Sequence, residues 1–172
     1  ALNLLKQIIT LYEWNGNESV RPTVATYNFV IEAFAQKGDI KGSRIVFDMQ
    51  VSDFRKKQNV KAKPNLTTFR HMIYACSKSR ANDAPKIAKE FLAIIINWHE
   101  KGELKERPNA AIYITTMNAC ARNGDVDGAT SVLQMMENDA KNVPHVPHLR
   151  AYSILINAWS KSGLDDAPRQ AH

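Results

Sequence analysis

The chain has 172 residues, 44% of them hydrophobic and 23% charged, a balance that excludes a disordered chain. Its longest apolar stretch, Phe91 to Ile96, falls far short of the roughly 20 residues a membrane-spanning helix needs, so no membrane insertion is expected. The net charge of +6 and pI near 9.4 favour a polyanionic partner, but charge alone does not separate a nucleic-acid reader from a structural component of a nucleic-acid assembly.

The chain opens on an apolar helical pattern in which Leu2, Leu4, Leu5, Ile8, Ile9 and Tyr12 read as the second helix of an earlier repeat. No initiator methionine, signal or transit signature is present, so the compartment is not legible from the N-terminus. The chain is expected to be the ordered part of a longer array.

A pattern then recurs four times: Thr26 to Phe34, Thr68 to Cys76, Ile112 to Cys120 and Ala151 to Trp159. Each copy follows a proline (Pro22, Pro64, Pro108, Pro147), and these recur at offsets of 42, 44 and 39 residues. Such a period belongs to a solenoid of stacked units and not to one compact enzyme domain. Tyr27, Val30, Ile31 and Phe34 stand at i, i+3, i+4 and i+7, an apolar helical stripe. Phe69, Met72, Ile73 and Cys76 fill it in the second copy, Tyr113, Thr116, Met117 and Cys120 in the third, and Tyr152, Leu155, Ile156 and Trp159 in the fourth. An alanine in the eighth place (Ala33, Ala75, Ala119, Ala158) lets a neighbouring helix approach closely.

Each first helix is expected to stop near residues 37–39, 79–83, 123–125 or 162–163, where Gly ends a helix at little steric cost and Asp or Asn starts the next. Second helices are predicted over approximately Ile40 to Gln58, Pro85 to Lys101 and Val126 to Lys141, with Ile45, Phe47 and Met49 among the apolar residues of the first. Asp83 to Pro85 and Asp166 to Pro168 repeat the same helix start in the same register, with proline tolerated in the first turn. Cys76 and Cys120 read as small core residues, and Trp14, Trp98 and Trp159 as packing residues. The prolines punctuate the array, because a residue before proline avoids helix.

These residues resemble the pentatricopeptide repeat family over nearly the whole chain. Tetratricopeptide repeats compete, but their 34-residue period and early Trp with LeuGly are missing from the first helices. The resemblance implies an all-α fold, an α-solenoid of antiparallel helix-turn-helix repeats. It divides residues 1–172, a single array, into 1–23 as the end of a preceding repeat, 24–65, 66–109 and 110–148 as complete repeats, and 149–172 as the start of another.

Members of that family read single-stranded RNA at about one base per repeat through the fifth and last residues of a unit, while the second residue packs on the base. In this chain the reading positions are Asn28 with Asn65, Arg70 with Asn109, Ile114 with His148, and Ser153. Asn28 with Asn65 resembles the family's pyrimidine-reading combination, leaning to cytosine; the next two pairs match no usual code, and Ile114 has no hydrogen-bonding group. The base-packing positions are Ala25, Thr67, Ala111 and Arg150, smaller or more polar than the usual branched aliphatic. The thirteenth residues Lys78, Arg122 and Lys161 fall where the family places a lysine near the RNA backbone, whereas the first unit has Gln36.

The units exceed the family norm of about 35 residues. The surplus falls at 52–60, 99–106 and 138–146, expected to be solvated loops or contacts to protein or structured RNA. No catalytic constellation is found. His145 and His148 lack a third ligand, so neither a metal nor another cofactor is expected, nor a small-molecule substrate.

The function implied is a noncatalytic organellar RNA-binding protein acting in RNA processing, stability or translation, in the mitochondrion or the chloroplast, with slight preference for the first. The alternative is a structural subunit of a large assembly such as an organellar ribosome, in contact with ribosomal RNA and ribosomal proteins.

Overall fold

The computed structural model describes residues 1–140 and 149–162, and the side chains of residues 140, 161 and 162 lie outside the description. Eight α-helices run in order among the described residues: α1 Leu2–Asn15, α2 Val24–Ala35, α3 Ile40–Arg55, α4 Leu66–Lys78, α5 Ala84–Glu100, α6 Ala110–Arg122, α7 Val126–Ala140 and α8 Leu149–Ser162. None is long and apolar enough to cross a membrane.

Local chemistry sets the helix ends. Thr23 caps α2 and Asn65 caps α4, each in a reciprocal capping box with the hydroxyl of Thr26 or Thr68, while the Asn109 side chain accepts the Ile112 amide at the start of α6. The α2–α3 and α6–α7 turns pass through Gly38 and Gly124, both at φ 69°, where a side chain would be strained. Asp39 and Asp125 then accept the Gly42 and Gly128 amides at 2.8 Å, capping α3 and α7. Asp83 makes no side-chain cap at α5; Pro85 in that first turn removes one of the amides such a cap would serve.

Helices α2, α4, α6 and α8 pack side by side in sequence, and α3, α5 and α7 back them from one side. The chain is an α-solenoid of two helical layers. The core lies between the layers, where Tyr27, Ile31, Phe69, Met72, Ile73, Phe91, Ile95 and Met117 are buried. Phe47 meets Phe91 edge-on at 5.4 Å and Phe69 meets Trp98 at 5.2 Å, a geometry that favours aromatic pairs beyond area alone. Cys76 and Cys120 are buried, unpaired thiols whose pKa burial pushes up to about 12.

Several packing expectations are corrected. Trp14 is 83% exposed, because only Leu5 of α1 is buried among the described residues. In α3 the core face is Ile40, Val46 and Phe47, and Ile45 points to solvent. Tyr152 and Ile156 are exposed, since the described residues include no second helix over that face of α8.

The 52–60 surplus is solvated only in part: residues 55–58 and 60 are exposed, while Asp53 and Asn59 are buried. Its first four residues lengthen α3, and the rest folds back on its own repeat. Asn59, fully buried, donates to the Pro22 carbonyl at 2.9 Å and to Asp53 Oδ2 at 2.7 Å, and the Tyr27 hydroxyl donates to the same carboxylate oxygen at 3.1 Å. Gln50 donates to the Ala62 carbonyl at 3.0 Å. The extension is held by the donors of Asn59 and Gln50, which find buried acceptors, while Asn59 Oδ1 and Gln50 Oε1 are buried without a hydrogen-bond partner.

Candidate nucleic-acid interface

The fifth, ninth and thirteenth residues of each unit stand at i, i+4 and i+8, so they share one face of a first helix. Placing the first helices side by side turns that face into a grid. Its rows are Asn28 and Glu32 on α2 with Gln36 at its C-cap; Arg70, Tyr74 and Lys78 on α4; Ile114, Asn118 and Arg122 on α6; and Ser153 and Asn157 on α8.

The fold brings Asn28 and Asn65 together. Asn28, 8% exposed, donates through Nδ2 to Asn65 Oδ1 at 3.3 Å, while Asn65 itself is exposed. Thr68, fully buried, donates its hydroxyl to Asn28 Oδ1 at 2.7 Å. Asn65 Oδ1 also accepts the Thr68 backbone amide at 3.1 Å, and Thr68 Oγ1 accepts the Asn65 amide at 3.2 Å. Close to this triad, His71 has a pKa lowered first by burial and secondarily by Arg70, against the raising influence of Glu32 and the Asn28 backbone. Its Nδ1 is buried without a partner.

The other pairs are not built this way. Arg70 and Asn109 are both exposed and no hydrogen bond joins them among the described residues. Ile114 is buried, and its expected partner His148 lies outside the described residues. Ser153 returns its hydroxyl to the Leu149 carbonyl at 2.9 Å. Of the base-packing positions, Ala25, Ala111 and Arg150 are exposed and Thr67 is half-buried.

An open groove of about 810 Å³ runs across the C-terminal ends of the first helices. Lys78, Arg80 and Arg122 line it with Tyr74, Asn118 and Asn157, and no carboxylate is among its described lining residues. The Lys78 ammonium sits 5.3 Å from the Tyr74 ring centroid, and Arg122 donates to the Ser77 carbonyl at 3.3 Å, so both cations are held over the groove while keeping donors free. The Lys161 side chain lies outside the described residues. Among the described residues, no three His, Cys, Asp or Glu side chains cluster to hold a metal ion.

Thr68, His71, Tyr74, Asn118 and Asn157 were missed from sequence. Thr68 was marked by the Asn65-to-Thr68 capping spacing, and the last three by recurrence at the ninth place; nothing marked His71.

A family model described as the pentacotripeptide-repeat region of PRORP matches residues 13–170. A putative pentatricopeptide repeat-containing protein of Arabidopsis thaliana is 28% identical over 146 residues, covering 81% of this chain and 40% of the relative. The mitochondrial 15S rRNA processing factor CCM1 of Yarrowia lipolytica is 24% identical over 154 residues, covering 85% of this chain and 17% of the relative. The chain thus spans less than half the length of these relatives.

Proposed function

The chain belongs to the pentatricopeptide repeat family, and from that membership we propose that it is a noncatalytic RNA-binding segment of an organellar protein acting in RNA processing, stability or translation. The observation that carries this reading is the grid on the first helices, where the Asn28 and Asn65 amides meet at one end and the carboxylate-free groove of Lys78, Arg80 and Arg122 lies at the other. One nucleotide is assigned to each of the units 24–65, 66–109 and 110–148. Asn28 with Asn65 reads a base; Lys78, Arg122 and Lys161 hold the phosphates. Arg70 with Asn109, Ile114 with His148, and Ser153 occupy the equivalent places with little discrimination, and Ala25, Thr67, Ala111 and Arg150 border the bases.

The mitochondrion is the preferred compartment and ribosomal RNA the preferred partner class, supported by the name of the Yarrowia relative. Ribosomal proteins are secondary partners along the repeat edges. No catalytic step is assigned.

Electrophoretic mobility shifts with random single-stranded RNA test this. Retention is expected at low salt, weakening steeply as salt rises. Absence of retention by a chain with intact helical circular dichroism overturns it.

A further inference from the structure

The grid has a middle row. Along a first helix the fifth, ninth and thirteenth residues are spaced by about 6 Å, four residues at about 1.5 Å each. With the fifth residue at a base and the thirteenth at a phosphate, the ninth stands opposite the ribose that joins them. On α4, α6 and α8 the ninth residue is Tyr74, Asn118 or Asn157, and all three line the groove that Lys78 and Arg122 border.

The three side chains share a chemistry. A phenol or an amide both donates and accepts, as a 2′-hydroxyl does, and none of the three brings a charge to the neighbouring phosphate. Tyr74 and Asn118 are half-buried and Asn157 is exposed, yet among the described residues no hydrogen bond engages the Tyr74 hydroxyl or either amide; Tyr74 and Asn157 accept only through their backbone carbonyls. The Lys78 ammonium lies 5.3 Å from the centre of the Tyr74 ring, which keeps phenol and cation side by side. The α2 row differs. Its ninth residue is Glu32, whose carboxylate accepts the Gln36 amide at 3.5 Å and would repel a phosphate.

Resting on the RNA-binding reading above, we propose that Tyr74, Asn118 and Asn157 are ribose readers, which bind the 2′-hydroxyls of single-stranded RNA and make the groove select RNA over DNA. The fifth places of the same helices offer little to a base: Ile114 is buried, and Ser153 returns its hydroxyl to its own helix. Recognition from α4 to α8 therefore falls on the sugar and phosphate. It selects the kind of nucleic acid and not its sequence.

The test compares oligouridylate with oligodeoxyuridylate of equal length on the 172-residue chain. Wild type binds the ribose oligomer at least about fivefold more tightly, the effect of one or two hydrogen bonds. The double variant Tyr74→Phe with Asn118→Leu keeps the ring beside Lys78 but removes the hydrogen-bonding groups. It brings the two affinities within about twofold and leaves the salt slope unchanged, since no charge is lost. Retained preference in the folded double variant overturns the assignment. A 2′-fluoro oligouridylate keeps the ribose pucker without the hydroxyl and is expected to bind wild type like the deoxy oligomer; binding like the ribose oligomer overturns the hydroxyl contact. Equal binding of the ribose and deoxy oligomers by wild type overturns ribose reading, and binding of neither overturns the RNA-binding reading itself. Should the double variant lose helicity, Tyr74→Phe combined with Asn157→Ala decides: an unchanged preference in that folded pair overturns the proposal.

Discussion

Tyr27 and Asp53 are joined by a buried hydrogen bond of 3.1 Å across 26 residues, and Tyr113 with Asp139 repeats it at the same separation and 3.2 Å. The bond ties the fourth residue of a first helix to the end of its second helix. Burial, and then the neighbouring carboxylate, push both phenols above their ordinary pKa, so the tyrosines stay protonated donors. In the middle unit the same places hold Phe69 and Ile95, both buried, so an apolar pair replaces the polar one without leaving a lone partner.

Removing one member should therefore cost more than replacing both. Tyr27→Phe is expected to lower stability by about 1 kcal/mol, because Asp53 keeps Asn59 as a donor. Asp53→Ala is expected to lower it by about 2–3 kcal/mol, since the Tyr27 hydroxyl and the Asn59 amide both lose an acceptor. Urea denaturation midpoints rank the two, and equal costs would contradict the shared-acceptor arrangement.

Gly42 is required by packing. A Cβ there would lie 2.4 Å from Phe34 Cδ1 and 2.6 Å from Asp39 Oδ2, displacing both the core ring and the α3 cap. Gly42→Ala should cost about 2–3 kcal/mol. At Gly16 the conformation is left-handed, φ 62°, but no atom lies within 4 Å, so Gly16→Ala should cost only about 1 kcal/mol. Thermal melts of the two variants should show the larger fall for Gly42→Ala.

His71 makes stability depend on pH. Burial lowers its folded-state pKa below 6.5, so the unfolded chain takes up a proton at a higher pH than the folded one. Its contribution is present above about 6.5 and is lost as pH falls through the folded value, where a second ring N–H would have no acceptor for the buried Nδ1. Urea unfolding at pH 7.5 and 5.5 should show a larger loss for wild type than for His71→Gln; equal losses would exclude His71 as the cause.

Lys78 and Arg122 predict a salt signature. On single-stranded RNA each phosphate contact contributes about 0.7 to the log-log salt slope, so three contacts give about −2, and Lys78→Ala should reduce the slope by about 0.7. Arg122→Ala should do the same and also weaken the end of α4, whose Ser77 carbonyl it holds. An unchanged slope in Lys78→Ala would remove that residue from the RNA path.

Cys76 and Cys120 should resist alkylation. With the thiol pKa pushed up to about 12, the thiolate is scarce at pH 8 and the sulfur is enclosed. Iodoacetamide labelling followed by mass spectrometry should find both unmodified in the folded chain and modified in urea. Labelling of the native protein would mean that the core opens locally.

The first-helix stripes were legible because apolar residues at helical spacing recur with the proline punctuation, and each recurrence checks the others. Ile45 and Trp14 misled for one reason. Apolar character shows that a residue can be buried, but a neighbouring helix decides whether it is. Trp14 lies on α1, which buries only Leu5 among the described residues, and Ile45 lies on the outer face of α3. The 52–60 extension misled in the opposite direction: Asp53 and Asn59 are polar by composition and buried by partnership with Tyr27 and Pro22.

The sequence by itself determined the α-solenoid, because helical periodicity and capping chemistry act over a few residues. Only the tertiary structure decided that Asn28 meets Asn65 and Thr68. Those bonds join residues 37 and 40 apart in the chain, and such contacts exist only after one repeat has packed against the next.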